Sequence, residues 1–252
     1  MASIDPLLPL SGRAVVLTGG ARRVGAALAR AFHGAGANLF LHYRGSRDEA
    51  AALSRELTAS RPNSVALVQA DLLDTARLPR LIEEAHQAFG RVDVLLNNAS
   101  SFYPTPIGEI TEEAWEDLIG TNVKAPLFLS QAAAPALRAA RGLILNIADI
   151  HGTRPLARYP VYSTAKAALI MLTKVLAREL APEVRVNAIA PGPVLWAEDA
   201  DRELQEKIIA RTLLKRAGSP EDVARAALFF ATDAPYVTGQ VLAIDGGRSL
   251  AW

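Results

Sequence analysis

The sequence predicts an α/β fold, a single-domain doubly wound Rossmann fold over residues 1–252 with a parallel seven-stranded sheet. Three observations predict it. Short apolar runs that suit strands alternate with helical segments along the whole chain. These runs are apolar on both faces, which is typical of parallel strands covered by helices on both sides. No linker, repeat or low-complexity tract interrupts the alternation, and the length suits one large domain.

The predicted elements follow each other in a regular order. Strands are predicted at Ala14–Thr18, Asn38–Tyr43, Ser64–Ala70, Val92–Asn97, Gly142–Ala148, Val184–Ala190 and Gln240–Asp245. Helices are predicted at Val24–Ala35 and Ala50–Ser60, with long Ala- and Leu-rich helical stretches over Trp115–Leu137 and Ser163–Leu180. Residues 1–12 are interpreted as an N-terminal extension, and residues 191–215 as a loop and helix on the substrate side.

Composition excludes several functional classes. Half of the 252 residues are hydrophobic and the formal net charge is +1, so nothing indicates binding to nucleic acid or to an anionic membrane. The chain has no cysteine, which excludes disulfides and thiolate chemistry. It has no signal-peptide pattern and no apolar run long enough to span a bilayer. We therefore expect a soluble cytoplasmic protein without a metal site.

The turn Thr18–Gly25 is a candidate phosphate-binding segment. Glycine at 19 and 25 would let the backbone approach a pyrophosphate, and the helix that follows offers free N–H groups at its start. Arg23 stands where the usual dinucleotide fingerprint has its middle glycine. An ordinary strand-to-helix turn is the alternative interpretation.

The end of the second strand indicates which dinucleotide is bound. Sites that prefer NAD have an acidic residue there for the ribose 2′-hydroxyl, whereas this strand ends in the run 42–46 without one. Arg44 and Ser46 can instead bind a 2′-phosphate, and Asp48 and Glu49 are assigned to the first turn of the next helix. The sequence therefore predicts NADPH, with a solvated loop arginine as the alternative.

Tyr162 and Lys166 are four residues apart and lie on one face if the segment is helical. A free phenol has a pKa near 10, and a nearby ammonium would stabilise its phenolate and make it a usable general acid. The alternative is that Tyr162 only packs and Lys166 is solvated.

The loop Asn97–Pro106 follows the fourth predicted strand, on the side of the sheet where ligands bind. Its paired asparagines supply amide donors and acceptors. Phe102 is an aromatic residue in a proline-rich loop and could stack on a flat ligand or anchor the loop by packing. The irregular segment Pro191–Asp201, which contains Trp196, also follows a strand on this side.

Across nearly its whole length the chain resembles the short-chain dehydrogenase/reductase family. The matching pieces are the glycine-containing turn, Asn97–Ala99, Asn122 within Gly120–Val123, Tyr162 with Lys166, Pro191–Gly192 and Asp245–Gly247. The family's catalytic set of Asn, Ser, Tyr and Lys is matched by Asn122, Tyr162 and Lys166. Asp149 stands in the place of the serine.

The exchange at position 149 changes the chemistry that the site can support. The family serine donates a hydrogen bond to a substrate carbonyl, whereas an ionised carboxylate has no proton to donate and would repel a developing oxyanion. Asp149 therefore favours a substrate whose reacting atom is a nitrogen that becomes protonated. Loss of activity, with the fold retained as a binding protein, is the alternative.

Within this family the chain looks like the pteridine reductases, which share the turn Thr18-Gly19 with Arg23 and Gly25, an Asp in the serine place and a loop similar to 98–106. The resemblance implies that Phe102 stacks on the pterin opposite the nicotinamide and that Ser100 and Arg23 bind polar edges. Tyr162 and Asp149 handle the proton, and Lys166 holds the ribose. The implied cofactor-binding residues are Gly19, Arg23, Val24, Gly25, Tyr43, Arg44, Ser46, Asp71, Asn98, Ala99, Lys166, Pro191 and Gly192. The implied substrate-binding residues are Arg23, Ser100, Phe102, Asp149, Tyr162 and Trp196.

The expected activity is NADPH-dependent reduction of a dihydropteridine, with fully oxidised pterins as an open alternative substrate. An ordinary carbonyl or 3-oxoacyl reductase and a catalytically silent NADPH-binding sensor are the alternative functions. The resemblance also implies a homotetramer paired through the two long helical stretches, with the tail Asp245–Trp252 near a neighbour's site.

Overall fold

The structure is a computed structural model that describes residues 8–196 and 201–251. Seven parallel strands form one sheet in the order β3-β2-β1-β4-β5-β6-β7, which confirms the predicted fold class. The strands are β1 (Ala14–Leu17), β2 (Asn38–Tyr43), β3 (Val65–Gln69), β4 (Val94–Asn97), β5 (Leu143–Ile147), β6 (Arg185–Pro191) and β7 (Val241–Ile244). Residues 1–7 of the predicted extension, residues 197–200 of the substrate-side loop and Trp252 of the tail lie outside the described residues.

The helices lie between the strands in the order that the sequence predicts. They are α1 (Arg23–Gly34), α2 (Arg47–Ser60), α3 (Leu78–Phe89), α4 (Glu112–Ile119), α5 (Ala125–Ala140), α6 (Pro160–Leu180), α7 (Arg202–Ala210) and α8 (Pro220–Thr232). Short 3₁₀ turns occupy Thr75–Arg77, Ile150–Gly152 and Arg248–Leu250. A helix between consecutive parallel strands makes each crossover, so helices cover both faces of the sheet.

The core consists of two apolar layers separated by the sheet. On one face Leu28 and Phe32 of α1, which lie one turn apart, pack with Phe230 of α8 against the strands. On the other face Leu81 of α3 and Leu129 of α5 are fully buried. Burial of a side chain of this size stabilises the fold by about 1.5–3 kcal/mol. The apolar runs on both faces of the strands are therefore the physical cause of the three-layer arrangement.

The sheet order reverses between β1 and β4. From β1 the chain continues outward through β2 and β3, and it then returns to place β4 on the other side of β1. Leu17, the last residue of β1, pairs with Leu41 on one side and Leu96 on the other. The helices that follow β1 and β4 therefore diverge to opposite faces and leave a crevice at the carboxyl ends of the strands, where ligands bind in such sheets.

The predicted helical stretch Trp115–Leu137 is not one continuous α-helix. A π-helical turn at Gly120–Lys124 separates α4 from α5. A Cβ atom on Gly120 would lie 2.4 Å from Leu73 Cδ2, so any larger residue here would require the Leu73 side chain to move. The turn directs Asn122 inward, where its side chain is 1% exposed. Propensity predicted the helices, but a single extra residue in a helix has no signature in composition.

Two residues of the first turn meet steric limits of different kinds. Arg23 has φ of 55°, a left-handed conformation that costs a non-glycine residue on the order of 1–2 kcal/mol. This explains why glycine usually occupies the place. Gly25 has an ordinary φ, but a Cβ there would lie 2.1 Å from the Gly19 carbonyl oxygen. The close packing of α1 on β1 therefore requires glycine at 25.

The outer faces of α5 and α6 carry exposed apolar side chains. Leu127 and Phe128 of α5 and Met171 and Val175 of α6 are each more than a third exposed. Subunit pairing through these helices, and the homotetramer that the resemblance implies, stay predictions. Across residues 8–196 and 201–251, no helix is long and apolar enough to cross a membrane. The same residues contain no group of three or more candidate metal ligands.

We predict that Gly25→Ala destabilises the protein by about 3 kcal/mol, or roughly 6–12 °C in melting temperature, because the new methyl group would overlap the Gly19 carbonyl. Gly34→Ala at the other end of α1 is the matched control, since no atom lies within 4 Å of its added Cβ. The control should change stability by no more than about 1 kcal/mol. Equal melting temperatures for the two variants would contradict the close-packing argument.

Candidate active site

One cavity of about 1030 Å³ lies at the carboxyl ends of the strands. All of the predicted site residues border it except Asn122. They are Gly19, Arg23, Val24, Gly25, Tyr43, Arg44, Ser46, Asp71, Asn98, Ala99, Ser100, Phe102, Asp149, Tyr162, Lys166, Pro191, Gly192 and Trp196. Leu204 and Ile208 of α7 also border the cavity. The fold thus brings together residues that are up to about 190 positions apart in the sequence, because parallel strands end at one edge of the sheet.

Hydrogen bonds around Thr18 join the first turn to the loop after β4. The Thr18 hydroxyl accepts hydrogen bonds from the backbone N–H groups of Asn98 (2.9 Å) and Ala99 (3.0 Å). The Asn98 amide donates to the carbonyls of Thr18 and Gly19, both at 2.9 Å. Asn97, the other member of the pair, points into the sheet and donates to Asn146 at 2.8 Å. The paired asparagines therefore brace the cavity floor.

The first turn meets the requirements of a pyrophosphate site. No side chain caps the N-terminus of α1, and its first turn has no acidic residue. The first N–H groups of a helix lack partners within the helix, so they are available to an anion. Gly25 has no side chain to block the approach, and Arg22 and Arg23 add positive charge at the cavity wall. These residues fit the diphosphate of a dinucleotide.

The end of β2 presents the groups predicted to bind a 2′-phosphate. The Arg44 side chain is 61% exposed, and its Nη1 lies 3.9 Å from Asp117 Oδ1, a weak ion pair that leaves the guanidinium accessible. Ser46 precedes α2, and its hydroxyl makes no capping hydrogen bond. Asp48 and Glu49 are in the first turn of α2, as predicted. Arg22, which the sequence interpretation missed, borders the cavity close by and pairs with Glu49 at 3.4 Å.

Asp149 and Tyr162 form a hydrogen-bonded pair at the other end of the cavity. The Tyr162 hydroxyl donates to Asp149 Oδ2 at 2.8 Å. Asp149 Oδ1 accepts from the backbone N–H of His151, also at 2.8 Å, and so caps the 3₁₀ turn after β5. The carboxylate therefore braces its loop and contacts the tyrosine at the same time.

The pKa of the Tyr162 phenol is raised well above its usual value of 10, first by burial and then by the charge and hydrogen bond of Asp149. This corrects the expectation that Lys166 would stabilise a phenolate here. The Lys166 Nζ lies 5.6 Å from the tyrosine ring centroid and donates to the Ile147 carbonyl at 2.9 Å. Desolvation lowers the pKa of the fully buried Lys166 to about 8, although Asp149 opposes this shift. Tyr162 is thus held as a protonated donor facing a carboxylate.

Asn122 does not join this pair through hydrogen bonds. Its Nδ2 donates to the carbonyls of Ser101 (3.0 Å) and Leu118 (2.9 Å), and its Oδ1 accepts from the Ser100 hydroxyl at 2.7 Å. The side chain therefore fixes the loop that carries Phe102. The structure places Asn122 as a brace for the loop, one step away from Asp149 and Tyr162.

Phe102 stands at the mouth of the cavity and is 54% exposed. Its ring stacks on Tyr159 with centroids 4.7 Å apart and planes inclined by 12°, and it meets the edge of Tyr162 at the same distance. Thus Phe102 both packs and borders the cavity, which combines the two interpretations that the sequence left open. Tyr159 was missed, because an aromatic residue before a helix has no distinctive pattern.

His42 is a third residue that the sequence interpretation missed. Its Nδ1 accepts a hydrogen bond from the Gly19 N–H at 3.2 Å, which places the proton on Nε2, and Nε2 donates to the Ala70 carbonyl at 3.0 Å. Burial lowers the pKa of His42, so the ring stays neutral. In the sequence, a histidine within an apolar strand looks like any other buried polar residue. Only the structure shows that the end of β2 lies beside the first turn, where His42 accepts the Gly19 N–H.

We predict that Lys166→Met raises the melting temperature by about 5 °C at pH 7, because it removes a buried ammonium. The folded pKa of about 8 lies below the unfolded value of 10.5. In this range the unfolded wild-type protein binds more protons than the folded one. The free energy of unfolding of the wild type therefore rises as pH increases from 8 toward 10.5. The advantage of the variant should accordingly shrink between pH 7 and pH 9.5. Melting curves across this range measure it.

Lys174→Met is the matched control, since Lys174 lies on the same helix with an exposed side chain. It should shift the melting temperature by the same small amount at every pH. A constant difference between Lys166→Met and the wild type from pH 7 to pH 9.5 would contradict a lowered pKa for Lys166.

Known proteins resemble this chain over nearly its whole length. The profile of a family described as enoyl-(acyl carrier protein) reductase matches residues 19–249. Pteridine reductase 1 of Leishmania tarentolae is 36% identical over 276 residues, covering 93% of this chain and 96% of the relative. The 3-oxoacyl-[acyl-carrier-protein] reductase FabG of Staphylococcus aureus strain Mu50 is 34% identical over 240 residues, covering 93% and 97%.

A solved structure agrees with these relatives. A blue fluorescent protein from a metagenomic library, in complex with NADPH, superposes with a TM-score of 0.89 at 34% sequence identity and covers 95% of this chain and 99% of its own. The chain therefore belongs to the short-chain dehydrogenase/reductase family of oxidoreductases.

Proposed function

We propose that the protein is an NADPH-dependent reductase that converts a dihydropteridine to a tetrahydropteridine. The observation that carries the proposal is the 2.8 Å hydrogen bond from the Tyr162 hydroxyl to the Asp149 carboxylate, in the place where the family has a serine. The relative named pteridine reductase 1 supports this substrate class, and the relatives named 3-oxoacyl reductases support the alternative of a carbonyl substrate.

The residues present fit NADPH along the length of the cavity. The free N-terminus of α1 would hold the diphosphate, and Arg44 and Ser46 would hold the 2′-phosphate. Lys166, fixed by its bond to the Ile147 carbonyl, would hold the ribose. When bound, the nicotinamide supplies a hydride from its C4 atom to a ring carbon of the pteridine. The solved neighbour that contains NADPH supports this choice of cofactor.

The protein's part in the reaction is delivery of a proton to the ring nitrogen next to that carbon. As the nitrogen gains electron density, Tyr162 can release its proton to it. A phenolate left beside the Asp149 carboxylate would be unfavourable, so a proton from water returns to the Tyr162 oxygen as its own proton passes to the ring nitrogen. The Asp149–Tyr162 pair suits a nitrogen that ends the reaction protonated and disfavours a carbonyl oxygen that becomes negative.

The substrate side of the cavity suits a flat heteroaromatic ring. Phe102 and Tyr159 form an aromatic wall beside the reacting pair. Ser100 is held in place by its 2.7 Å bond to Asn122, and Arg23 borders the same cavity. An aromatic face contributes about 0.5–1.5 kcal/mol beyond simple burial when it stacks with another ring. Trp196 and α7 border the outer end.

The direct test is oxidation of NADPH with dihydrobiopterin, dihydromonapterin and an acetoacetyl thioester in parallel. Turnover of the pterins, with little or none of the thioester, supports the proposal. Turnover of the thioester alone would make the protein a 3-oxoacyl reductase. NADPH binding without turnover of any of the three would identify a silent binding protein.

Variants of Asp149 separate its chemical role from its capping role. Asp149→Asn keeps an oxygen that can accept the His151 N–H but removes the charge, so melting temperature and NADPH affinity should stay close to wild type. Turnover of dihydropterin should fall by about 10²–10⁴-fold, the usual contribution of an acid–base group. Asp149→Ser should also be poor with pterins and can gain weak activity on small ketones. Wild-type turnover in either variant would show that the carboxylate has no chemical role.

The cofactor choice has its own test. Arg44→Ala should weaken NADPH binding by about tenfold to a hundredfold, as expected for a lost charge-assisted contact, and should leave NADH binding nearly unchanged. Arg47→Ala is the matched control, because Arg47 is exposed at the start of α2 and does not border the cavity. Equal weakening of both cofactors by Arg44→Ala would show that Arg44 does not bind the 2′-phosphate.

A further inference from the structure

His151 is a group at the substrate end of the cavity that the proposed reaction does not use. It lies in the 3₁₀ turn Ile150–Gly152 that follows β5, two residues beyond Asp149. Its side chain is half-buried, and His151 borders the cavity. Its backbone N–H donates to Asp149 Oδ1 at 2.8 Å, so its position is fixed relative to the reacting pair.

The hydrogen bond of the ring determines which nitrogen carries the proton. His151 Nδ1 lies 3.0 Å from the carbonyl oxygen of Arg154. A carbonyl oxygen can only accept, so Nδ1 must carry the hydrogen of this bond, which is the Nδ1–H tautomer of the ring. Nε2 then carries the lone pair, and within residues 8–196 and 201–251 no hydrogen bond to it is present. The ring therefore offers an acceptor that water, or a hydroxyl of a bound ligand, can satisfy.

The ring is held in this orientation by the C-terminal segment. Arg154 Nη1 donates to the carbonyls of Arg248 (3.3 Å), Ser249 and Ala251 (2.8 Å). Arg248 also borders the cavity. The Arg154 side chain thus binds three carbonyls of the C-terminal segment, and the Arg154 carbonyl accepts the hydrogen bond that orients the imidazole of His151. A preorganised acceptor of this kind discriminates between ligands more strongly than a mobile one.

We propose that His151 Nε2 accepts a hydrogen bond from a hydroxyl group on the side chain of the pteridine substrate, which makes His151 a specificity-determining residue. This inference rests on the proposed function and specifies the side chain of the pteridine, which the proposed function leaves open. A bound ligand that covers this acceptor without supplying a donor removes it from water, whereas a ligand hydroxyl replaces the water hydrogen bond. The complementary substrate is therefore a dihydropteridine with a hydroxylated alkyl substituent.

The test uses two variants that each keep one nitrogen position of the imidazole. In His151→Asn the side-chain amide occupies the place of Nδ1, so the bond to the Arg154 carbonyl is retained and the Nε2 acceptor is lost. In His151→Gln the longer side chain brings its carbonyl oxygen to the place of Nε2, so the acceptor is retained and the bond to Arg154 is lost. Each is assayed for kcat/KM with 6-hydroxymethyl-dihydropterin and 6-methyl-dihydropterin, alongside melting temperature and NADPH affinity.

The wild type should prefer the hydroxymethyl substrate by about twofold to tenfold, as expected for one neutral hydrogen bond. His151→Asn should reduce this ratio to about one without loss of melting temperature or NADPH affinity, whereas His151→Gln should retain most of the preference. A ratio that is the same in the wild type and His151→Asn would overturn the inference while leaving the proposed function intact. Loss of the ratio only in His151→Gln would assign His151 a purely structural role. Turnover of neither pteridine by the wild type would instead overturn the proposed function, and this inference with it.

Discussion

The connection between the turn after β1 and the loop after β4 is the constraint on which both ends of the cavity depend. These two strands are neighbours at the point where the sheet order reverses. Thr18 accepts two backbone N–H groups of the loop, and the Asn98 amide returns two hydrogen bonds to the turn. Gly25 allows α1 to pack directly on this junction. These contacts therefore fix the position of the free N-terminus of α1 relative to the Ser100–Phe102 segment. Hydride transfer between two bound molecules requires such a fixed geometry.

The end of the cavity that holds Asp149 and Tyr162 is built from three segments that are distant in sequence. The loop after β4 supplies Phe102, the turn after β5 supplies Asp149, and the start of α6 supplies Tyr162. Backbone and ring contacts join them: the Thr105 N–H donates to the Arg158 carbonyl at 2.8 Å, and Phe102 stacks on Tyr159. Asn122, through its π-helical turn, holds the first of these segments from behind. The aromatic wall and the Asp149–Tyr162 pair are thus positioned by one set of contacts.

The same end of the cavity contains groups whose ionisation the fold makes costly. Lys166 is fully buried with its pKa lowered to about 8, and the pKa of Tyr162 is raised by burial and by Asp149. Arg23 adds a left-handed backbone conformation at the cofactor end. Perturbed pKa values and backbone strain concentrate at functional sites, because such features persist only where the surrounding structure enforces them. The apolar layers on both faces of the sheet supply the stability that tolerates these features.

The sequence by itself determined the fold class and named a set of residues that, apart from Asn122, all border the cavity. The alternation of apolar runs and helical segments predicted a parallel sheet, because side chains covered on both faces must be apolar, and the spacing of Tyr162 and Lys166 predicted a shared helix face. Only the tertiary structure decided what depends on register between distant segments. It showed the Tyr162–Asp149 hydrogen bond, the raised rather than lowered pKa of the phenol, and the inward turn of Asn122. It also showed the hydrogen bonds that the rings of His42 and His151 make with Gly19 and Arg154. The local pattern of a sequence indicates which residues are buried and which share a helix face. Hydrogen-bond partners depend instead on which strand ends lie side by side in the folded sheet.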